Sequence, residues 1–108
     1  MDKEVLVYKT PEGKEPFIDW LFSLRDKMAR HRIETRIDRV KQGNYGDHKQ
    51  FQGILEIRLD FGKGYRVYCG EDGNKLVILL IGGDKSSQEK DIKKAVEYWR
   101  DYHEQKKI

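Results

Sequence analysis

The sequence predicts one α+β domain, spanning residues 1–108, with the element order β-α-α-β-β-β-α. Two observations support this class. Apolar residues recur at helical spacing between residues 16 and 41, and again near the C-terminus. Between them, from Gln50 onward, the hydrophobic period changes to two, as in strands. A chain of 108 residues is long enough for one hydrophobic core but not for two.

The first half begins with a short strand and continues with helices. "EVLVY" (4–8) is rich in β-forming residues, and "KTPEGKEP" then interrupts regular structure with two prolines and a glycine. Pro16 suits the first position of a helix, where its missing N–H costs nothing, and Gly43 is a candidate C-cap. Two apolar stripes follow Pro16 and predict two helices or one bent helix: Phe17, Trp20, Leu21, Leu24 and Met28, then Ala29, Ile33, Ile37 and Val40.

The second half predicts three strands and a final helix. Strands are expected at about 54–60, 65–70 and 75–82, joined by the glycine-containing turns "FGKG" and "EDGN". "LVILLI" (76–81) is apolar on both faces, which predicts a central strand covered on both sides. Ser86 and Glu89 form a capping-box pattern, and an apolar stripe from Ile92 to Tyr102 follows it.

Composition restricts the classes of function only weakly. The net charge is +3 with a pI near 8.9, which is by itself weak evidence for a nucleic-acid partner. The uneven placement of charge matters more, because basic residues are concentrated between Lys27 and Lys41. The single cysteine, Cys69, cannot form an internal disulfide, and we expect it to be buried in a cytoplasmic protein. No apolar run is long enough for a membrane span or a signal peptide.

Several catalytic patterns are missing from the sequence. It has no Walker loop, no G-x-G-x-x-G, no paired-cysteine zinc signature and no H-E-x-x-H. Its histidines, at positions 31, 48 and 103, fall on different elements. We therefore expect neither a metal nor a cofactor.

A set of cationic side chains is the strongest chemical signal. Arg58 and Arg66 each alternate with apolar residues, so both should project from the same face of neighbouring strands. Tyr68 should share that face, Lys63 lies in the turn between the strands, and Lys85 follows the central strand. Arginine binds phosphate through a bidentate fork and lysine as a point charge. The set could hold an RNA phosphate and stabilise developing charge.

Structural explanations remain open for each of these residues. Arg58 could pair with Glu56, Asp60 or an acid on a neighbouring strand, and Arg66 could also form a structural salt bridge. Tyr68 could be a packing residue with a satisfied hydroxyl. Lys85 could be an ordinary loop lysine, and the basic helix face could simply be solvated.

Four segments occur along the chain in this order: "PFIDWLFSLRD", "RIETRIDRVKQGNYGD", "LEIRLDFGKGYRVYCG" and "LLIGGDKSSQEKDIKKAVEYW". Together they closely resemble the RelE/ParE superfamily of bacterial toxins, in particular its HigB-like addiction-module killer proteins. The resemblance implies a RelE-like fold, in which two N-terminal helices and one C-terminal helix pack on a twisted, mainly antiparallel sheet. It also implies a metal-independent, ribosome-dependent endoribonuclease that cuts mRNA and leaves a 2′,3′-cyclic phosphate.

The resemblance carries over to individual residues. Arg66 matches the phosphate-contacting arginine of the hairpin, Lys85 a second cationic position, and Arg58 an arginine that often ends the preceding strand. Glu56 stands where RelE-like enzymes have a lysine, and Asp91 lies close to the position of their C-terminal tyrosine. The general acid and base therefore stay unassigned, and the candidates are Tyr68, Asp84, Asp91, Lys63 and His48.

The resemblance also implies partners and alternatives. The partners are the ribosome, mRNA and a cognate HigA-like antitoxin with a helix-turn-helix domain. Arg32, Arg36, Arg39 and Lys63 become candidate RNA phosphate contacts. Two other functions remain open: ParE-like inhibition of DNA gyrase, and non-catalytic binding by a phage-derived relative of the same fold.

Overall fold

A computed structural model, which describes residues 2–107, shows an α+β domain with helices on both faces of a five-stranded mixed sheet. No helix within these residues is long and apolar enough to cross a membrane. A single 3₁₀ turn, Lys85–Ser87, precedes the last helix. The elements are β1 (Glu4–Val7), α1 (Pro16–Ser23), α2 (Lys27–Lys41), β2 (His48–Phe51), β3 (Ile54–Arg58), β4 (Arg66–Asp72), β5 (Leu76–Gly83) and α3 (Gln88–Lys106).

The sheet contains one strand more than the sequence predicts. Its spatial order is β1-β5-β4-β3-β2, in which β1 runs parallel to β5 and the other neighbouring pairs are antiparallel. The predicted order β-α-α-β-β-β-α is therefore wrong, because it lacks β2. Gln52 and Gly53 join β2 to β3 with φ angles of 52° and 80°. Positive φ at both central residues is what a tight two-residue hairpin requires.

One face of the sheet packs against α1 and α2. Leu55, Ile57, Val67 and Cys69 alternate toward these helices, as the period of two predicts. The two helices are separate, because Asp26 caps α2 by accepting hydrogen bonds from the backbone N–H groups of residues 28 and 29. Met28 therefore lies in the first turn of α2 and is 62% exposed, so its predicted place in the first apolar stripe is wrong.

The opposite face of the sheet is covered by α3. Tyr68, Ile78 and Leu80 form a second core with Ala95 of that helix. Trp99 of α3 packs on Gly70 of β4, where an added Cβ would lie only 2.5 Å from the indole ring. The central strand β5 thus contributes to both cores, which confirms the expectation drawn from "LVILLI".

The segment that leads into α3 is capped differently from the sequence prediction. The Asp84 side chain accepts a hydrogen bond from the Ser86 backbone N–H at 2.8 Å, and the Asp84 backbone N–H donates to Ser87 Oγ at 3.2 Å. The capping box therefore joins Asp84 and Ser87, and the predicted box of Ser86 and Glu89 is wrong. Because the 3₁₀ turn precedes α3, the helical segment begins two residues earlier than predicted, with Asp84 instead of Ser86 as its N-cap.

Candidate functional site

Arg58 and Arg66 lie directly opposite each other on neighbouring strands. They are paired in the antiparallel register of β3 and β4, and both project from the face that α3 covers. The prediction that they share a face is confirmed. Like charges directly opposite each other in a sheet are unfavourable, so this pairing needs a compensating anion.

Arg66 forms no ion pair with any carboxylate among residues 2–107. Its side chain is buried, and only 8% of the residue is exposed. One Nη donates to the carbonyl oxygens of Gly64 and Tyr65 at 3.2 Å each, whereas the buried Nε has no hydrogen-bond partner. No salt bridge from Arg66 occurs in the described chain, so the structural ion pair considered for it does not form there. Arg66 thus carries a charge that no ion pair in the described chain offsets, and a ligand can reach it only through the small exposed part of the residue.

Arg58, in contrast, is paired with Glu56. Arg58 Nε donates to one carboxylate oxygen of Glu56 at 2.9 Å, and Gln88 Nε2 at the start of α3 donates to the other at 2.7 Å. Glu56 is fully buried. Burial acts to raise its pKa, but the hydrogen bonds from Gln88 and Arg58 outweigh burial and hold the pKa below its ordinary value. The ion pair considered for Arg58 is the observed arrangement.

Tyr68 lies opposite Glu56 in the ladder and is completely buried. Its hydroxyl has no hydrogen bond of standard geometry to any described residue. Burial, followed by the negative charge of Glu56, raises the pKa of the phenol above its ordinary value. No substrate atom can touch Tyr68 in this arrangement, so it could influence chemistry only through its neighbours Glu56 and Arg66.

The two predicted lysines meet at the turn between β3 and β4. The Lys85 backbone N–H donates to the Lys63 carbonyl oxygen at 3.3 Å. The aliphatic part of Lys85 crosses Gly64, where an added Cβ would lie 2.8 Å from Cγ of the lysine. Both lysine residues are exposed. The Gly64 carbonyl oxygen in the same turn accepts a hydrogen bond from the Arg66 guanidinium. We refer to Arg58, Arg66, Lys63 and Lys85 as the cation cluster.

Asp91 and Ser87 adjoin this cluster beneath the start of α3. Ser87 Oγ donates to Asp91 Oδ2 at 2.5 Å, and burial raises the pKa of the Asp91 carboxyl, which is only 6% exposed. Gly83, the residue opposite Arg66 on β5, is tightly covered by this pair. A Cβ at Gly83 would lie 1.8 Å from Asp91 Oδ2 and 2.8 Å from Ser87 Oγ.

The other two acid–base candidates differ in position. Asp84 lies next to Lys85, and its pKa is held below the ordinary value chiefly by the hydrogen bond from Ser86. His48 belongs to β2, where it pairs with Ile57, and it contacts the Gly46 carbonyl oxygen and the Tyr45 ring. Because opposite residues of a ladder share a face, His48 lies on the α1–α2 side, away from Arg66.

Arg32, Arg36 and Arg39 lie elsewhere, on α2, and line a cavity of about 280 Å³ together with residues 59–61. The structure therefore brings Arg58, Arg66, Tyr68, Lys63 and Lys85 together, and it places these three arginines in a separate group. Within residues 2–107, no three His, Cys, Asp or Glu side chains converge as metal ligands.

Sequence reasoning missed the Glu56–Gln88 and Ser87–Asp91 contacts. The sequence indicated Glu56 as a possible partner of Arg58 and Asp91 as a possible acid or base, but not these two contacts. The alternation of β3 places Glu56 on the same face as Arg58, which was the available signal. Nothing local in the sequence indicates the contact with Gln88, which lies 32 residues further along the chain.

The comparisons with known proteins establish kinship but not activity. No family model matches the chain, and no solved structure matches it significantly. An uncharacterized protein of Haemophilus influenzae is 51% identical over 80 residues, which cover 73% of this chain and 81% of that protein. The chain therefore belongs to the same protein family as this Haemophilus influenzae protein.

Proposed function

We propose that the chain is the toxin of a type II toxin–antitoxin module and that it cleaves mRNA on the ribosome without a metal. Its RelE/ParE-type sequence segments motivate the proposal. Arg66 is the observation that carries it, because its buried guanidinium lacks a carboxylate partner in the described chain and lies beside three other cations. An RNA phosphate would supply the missing negative charge.

The reaction under this proposal is an internal transesterification. The 2′-oxygen of a ribose loses its proton and attacks the adjacent phosphorus, and the bond from phosphorus to the 5′-oxygen of the next nucleotide breaks. The products are a 2′,3′-cyclic phosphate and a 5′-hydroxyl, which takes up a proton. Arg66 and Lys85 would stabilise the negative charge that develops on the phosphate oxygens.

The remaining residues of the cation cluster would have supporting roles. Lys63 is exposed in the turn and would contact an adjacent backbone phosphate. Arg58 is held by Glu56 and lies opposite Arg66 in the sheet, so it would add positive charge next to Arg66 without rearrangement. Such fixed positions matter because charge stabilisation in a transition state depends on groups that need no rearrangement.

The proposal includes partners and location. The ribosome would present the mRNA, and a HigA-like antitoxin with a helix-turn-helix domain would neutralise the toxin in the cytoplasm. Co-expression of this chain with the product of a neighbouring gene should restore growth and yield a complex that copurifies.

One observation favours a second candidate, a non-catalytic binding protein. Tyr68 is completely buried and Asp91 is hydrogen-bonded to Ser87, so neither is free to exchange protons with a bound substrate in the observed arrangement. The cation cluster would then bind an anionic partner without chemistry. ParE-like inhibition of gyrase remains the other alternative, and a supercoiling assay detects it directly.

The test uses purified ribosomes programmed with a defined mRNA. The full-length chain should cut the message, and Arg66→Ala should lower the rate by about 10²–10³-fold, as for loss of one transition-state donor. Arg100→Ala removes an exposed arginine of α3 and should cut at the normal rate. Arg66→Lys keeps the positive charge but loses the bidentate guanidinium. Thermal melts confirm that each variant is folded.

Each outcome leads to a different conclusion. Equal cleavage by wild type and Arg66→Ala would contradict the assignment of Arg66. No cleavage by any folded chain, combined with inhibition of gyrase, would favour the ParE-like function. No effect in either assay would favour the binding protein.

A further inference from the structure

A basic cavity lies between α2 and the residues that follow β3. Its volume is about 280 Å³, and we call it the arginine cavity. Its lining includes Arg32, Arg36, Arg39, Asp60 and Phe61.

The three arginines give this cavity a net positive charge. Their spacings of four and three residues place them on one face of α2. None of them forms a salt bridge within the part of the chain that the structure describes. Arg36 is held in place by the carbonyl oxygens of Tyr45 and Asp47, at 3.3 and 3.5 Å from its Nη. The cavity therefore favours an anionic ligand.

The same cavity offers a flat surface for stacking. The guanidinium of Arg32 lies over the ring of Phe61, 4.8 Å from its centroid. A guanidinium plane supported by an aromatic ring can stack an unpaired nucleobase on its free side. Asp60, the acidic residue of the lining, could accept a hydrogen bond from a base amino group, and the carboxylate side chains of an acidic peptide offer no such donor.

The arginine cavity and the cation cluster are separate groups of residues, but they are neighbours in the sequence. Phe61 lines the cavity, and Lys63 of the cluster follows two residues later in the same turn. Two residues of chain span at most about 7 Å. A single strand of RNA could therefore contact the cavity and Lys63 of the cation cluster through neighbouring nucleotides.

We propose that the arginine cavity binds one unpaired nucleotide of single-stranded RNA, next to the phosphate held by the cation cluster. Arg32 stacks its base, while Arg36 and Arg39 bind its phosphate. This inference rests on the proposed function, because the cation cluster must hold a phosphate of the same strand. It assigns to the cavity a substrate-binding role separate from the cleavage step.

The test measures how the affinity of the chain for RNA depends on salt. A fluorescently labelled single-stranded RNA oligonucleotide is titrated at several salt concentrations and followed by anisotropy. Arg32→Ala/Arg39→Ala removes two exposed, unpaired arginines of the cavity. Arg30→Ala/Arg100→Ala makes the same change in net charge outside the cavity.

The cavity variant should bind more weakly than the control variant, and its salt dependence should also differ. Each phosphate contact contributes about 0.7 to the slope of log K against log salt for single strands. The variant loses one phosphate contact, that of Arg39, which should lower the slope by about 0.7, whereas the control variant should keep the wild-type slope. Arg32→Lys keeps the positive charge but loses the planar guanidinium. Its affinity for the RNA should fall by at least about 5-fold, because base stacking contributes about 1–3 kcal/mol.

Three results would overturn the inference. The first is equal weakening by the cavity and control variants, which would indicate general charge attraction. The second is equally tight binding of duplex RNA with the same dependence on the cavity. The third is displacement of the RNA by a polyglutamate peptide that binds the cavity more tightly, which would indicate an acidic protein partner.

The binding and cleavage assays separate the two proposals. Cavity-dependent binding of RNA without cleavage on the ribosome would contradict the proposed function while leaving the cavity as an RNA site. Cleavage with binding that does not depend on the cavity would contradict this inference alone.

Discussion

Glu56 organises the buried part of the site, and its removal should strongly destabilise the domain. Its carboxylate is fully buried and accepts hydrogen bonds from Arg58 Nε at 2.9 Å and Gln88 Nε2 at 2.7 Å. A hydrogen bond to a charged group contributes about 1.5–3 kcal/mol. Glu56→Ala should therefore lower the free energy of unfolding by about 3 kcal/mol. This value is the low end of the sum for the two hydrogen bonds. The low end applies because Arg58 is one-third exposed, so water can hydrate its guanidinium once the carboxylate is removed.

Thermal melts followed by circular dichroism measure this loss. For a chain of this size, about 3 kcal/mol corresponds to a decrease in Tm of about 12 °C. Glu34→Ala removes an exposed glutamate of α2 that forms no ion pair within residues 2–107, and it should leave Tm nearly unchanged. If Glu56→Ala melts within 2 °C of the wild type, the carboxylate does not organise this region and the reasoning is wrong.

The pH dependence tests the same carboxylate in a second way. Because the pKa of Glu56 is lower in the folded state, its contribution to stability is complete above the unfolded pKa of about 4.3. That contribution is lost as the pH falls through the folded pKa. The difference in stability between wild type and Glu56→Gln should thus be constant from pH 7 to about pH 5 and shrink below it. A difference that grows with acidification would contradict the direction of the shift.

Three further changes have defined outcomes. Gly83→Ala should lower the stability by about 1–3 kcal/mol because the new Cβ would overlap Asp91, and an unchanged melt would contradict that contact. Tyr68→Phe should leave the stability unchanged or raise it by about 1 kcal/mol because it removes a buried hydroxyl that has no partner, whereas a loss above about 1 kcal/mol would reveal a hydrogen bond. Burial raises the pKa of Cys69 to about 12, so a thiol reagent at pH 8 should label it only after denaturation; rapid labelling of the folded chain would contradict its burial.

Local periodicity predicted most of the fold. Alternation in β3 and β4 was sufficient to place Arg58 and Arg66 on one face, because side chains of a strand point alternately to opposite faces. The additional strand β2 was missed because "HKQF" is polar and because its hairpin turn uses Gln52 at positive φ. Residues with a Cβ seldom adopt that conformation, so the turn carried no conventional signal.

The candidate site was only partly predictable. The positions of the cations follow from strand register and from one glycine-containing turn, which are local features. Their surroundings depend on how α3 docks, which brings Gln88 to Glu56 and Asp91 over Gly83. These contacts join residues far apart in sequence. Docking also buries Tyr68, which the alternation of β4 placed on the correct face without indicating that a helix covers it.

The most direct test of the central proposal is primer extension on a reporter mRNA after brief induction of the chain in cells. The proposal predicts cuts within translated codons that disappear with Arg66→Ala, persist with Arg100→Ala and are absent when translation is blocked. Intact message under growth arrest, or cuts that persist with a folded Arg66→Ala chain, would contradict it.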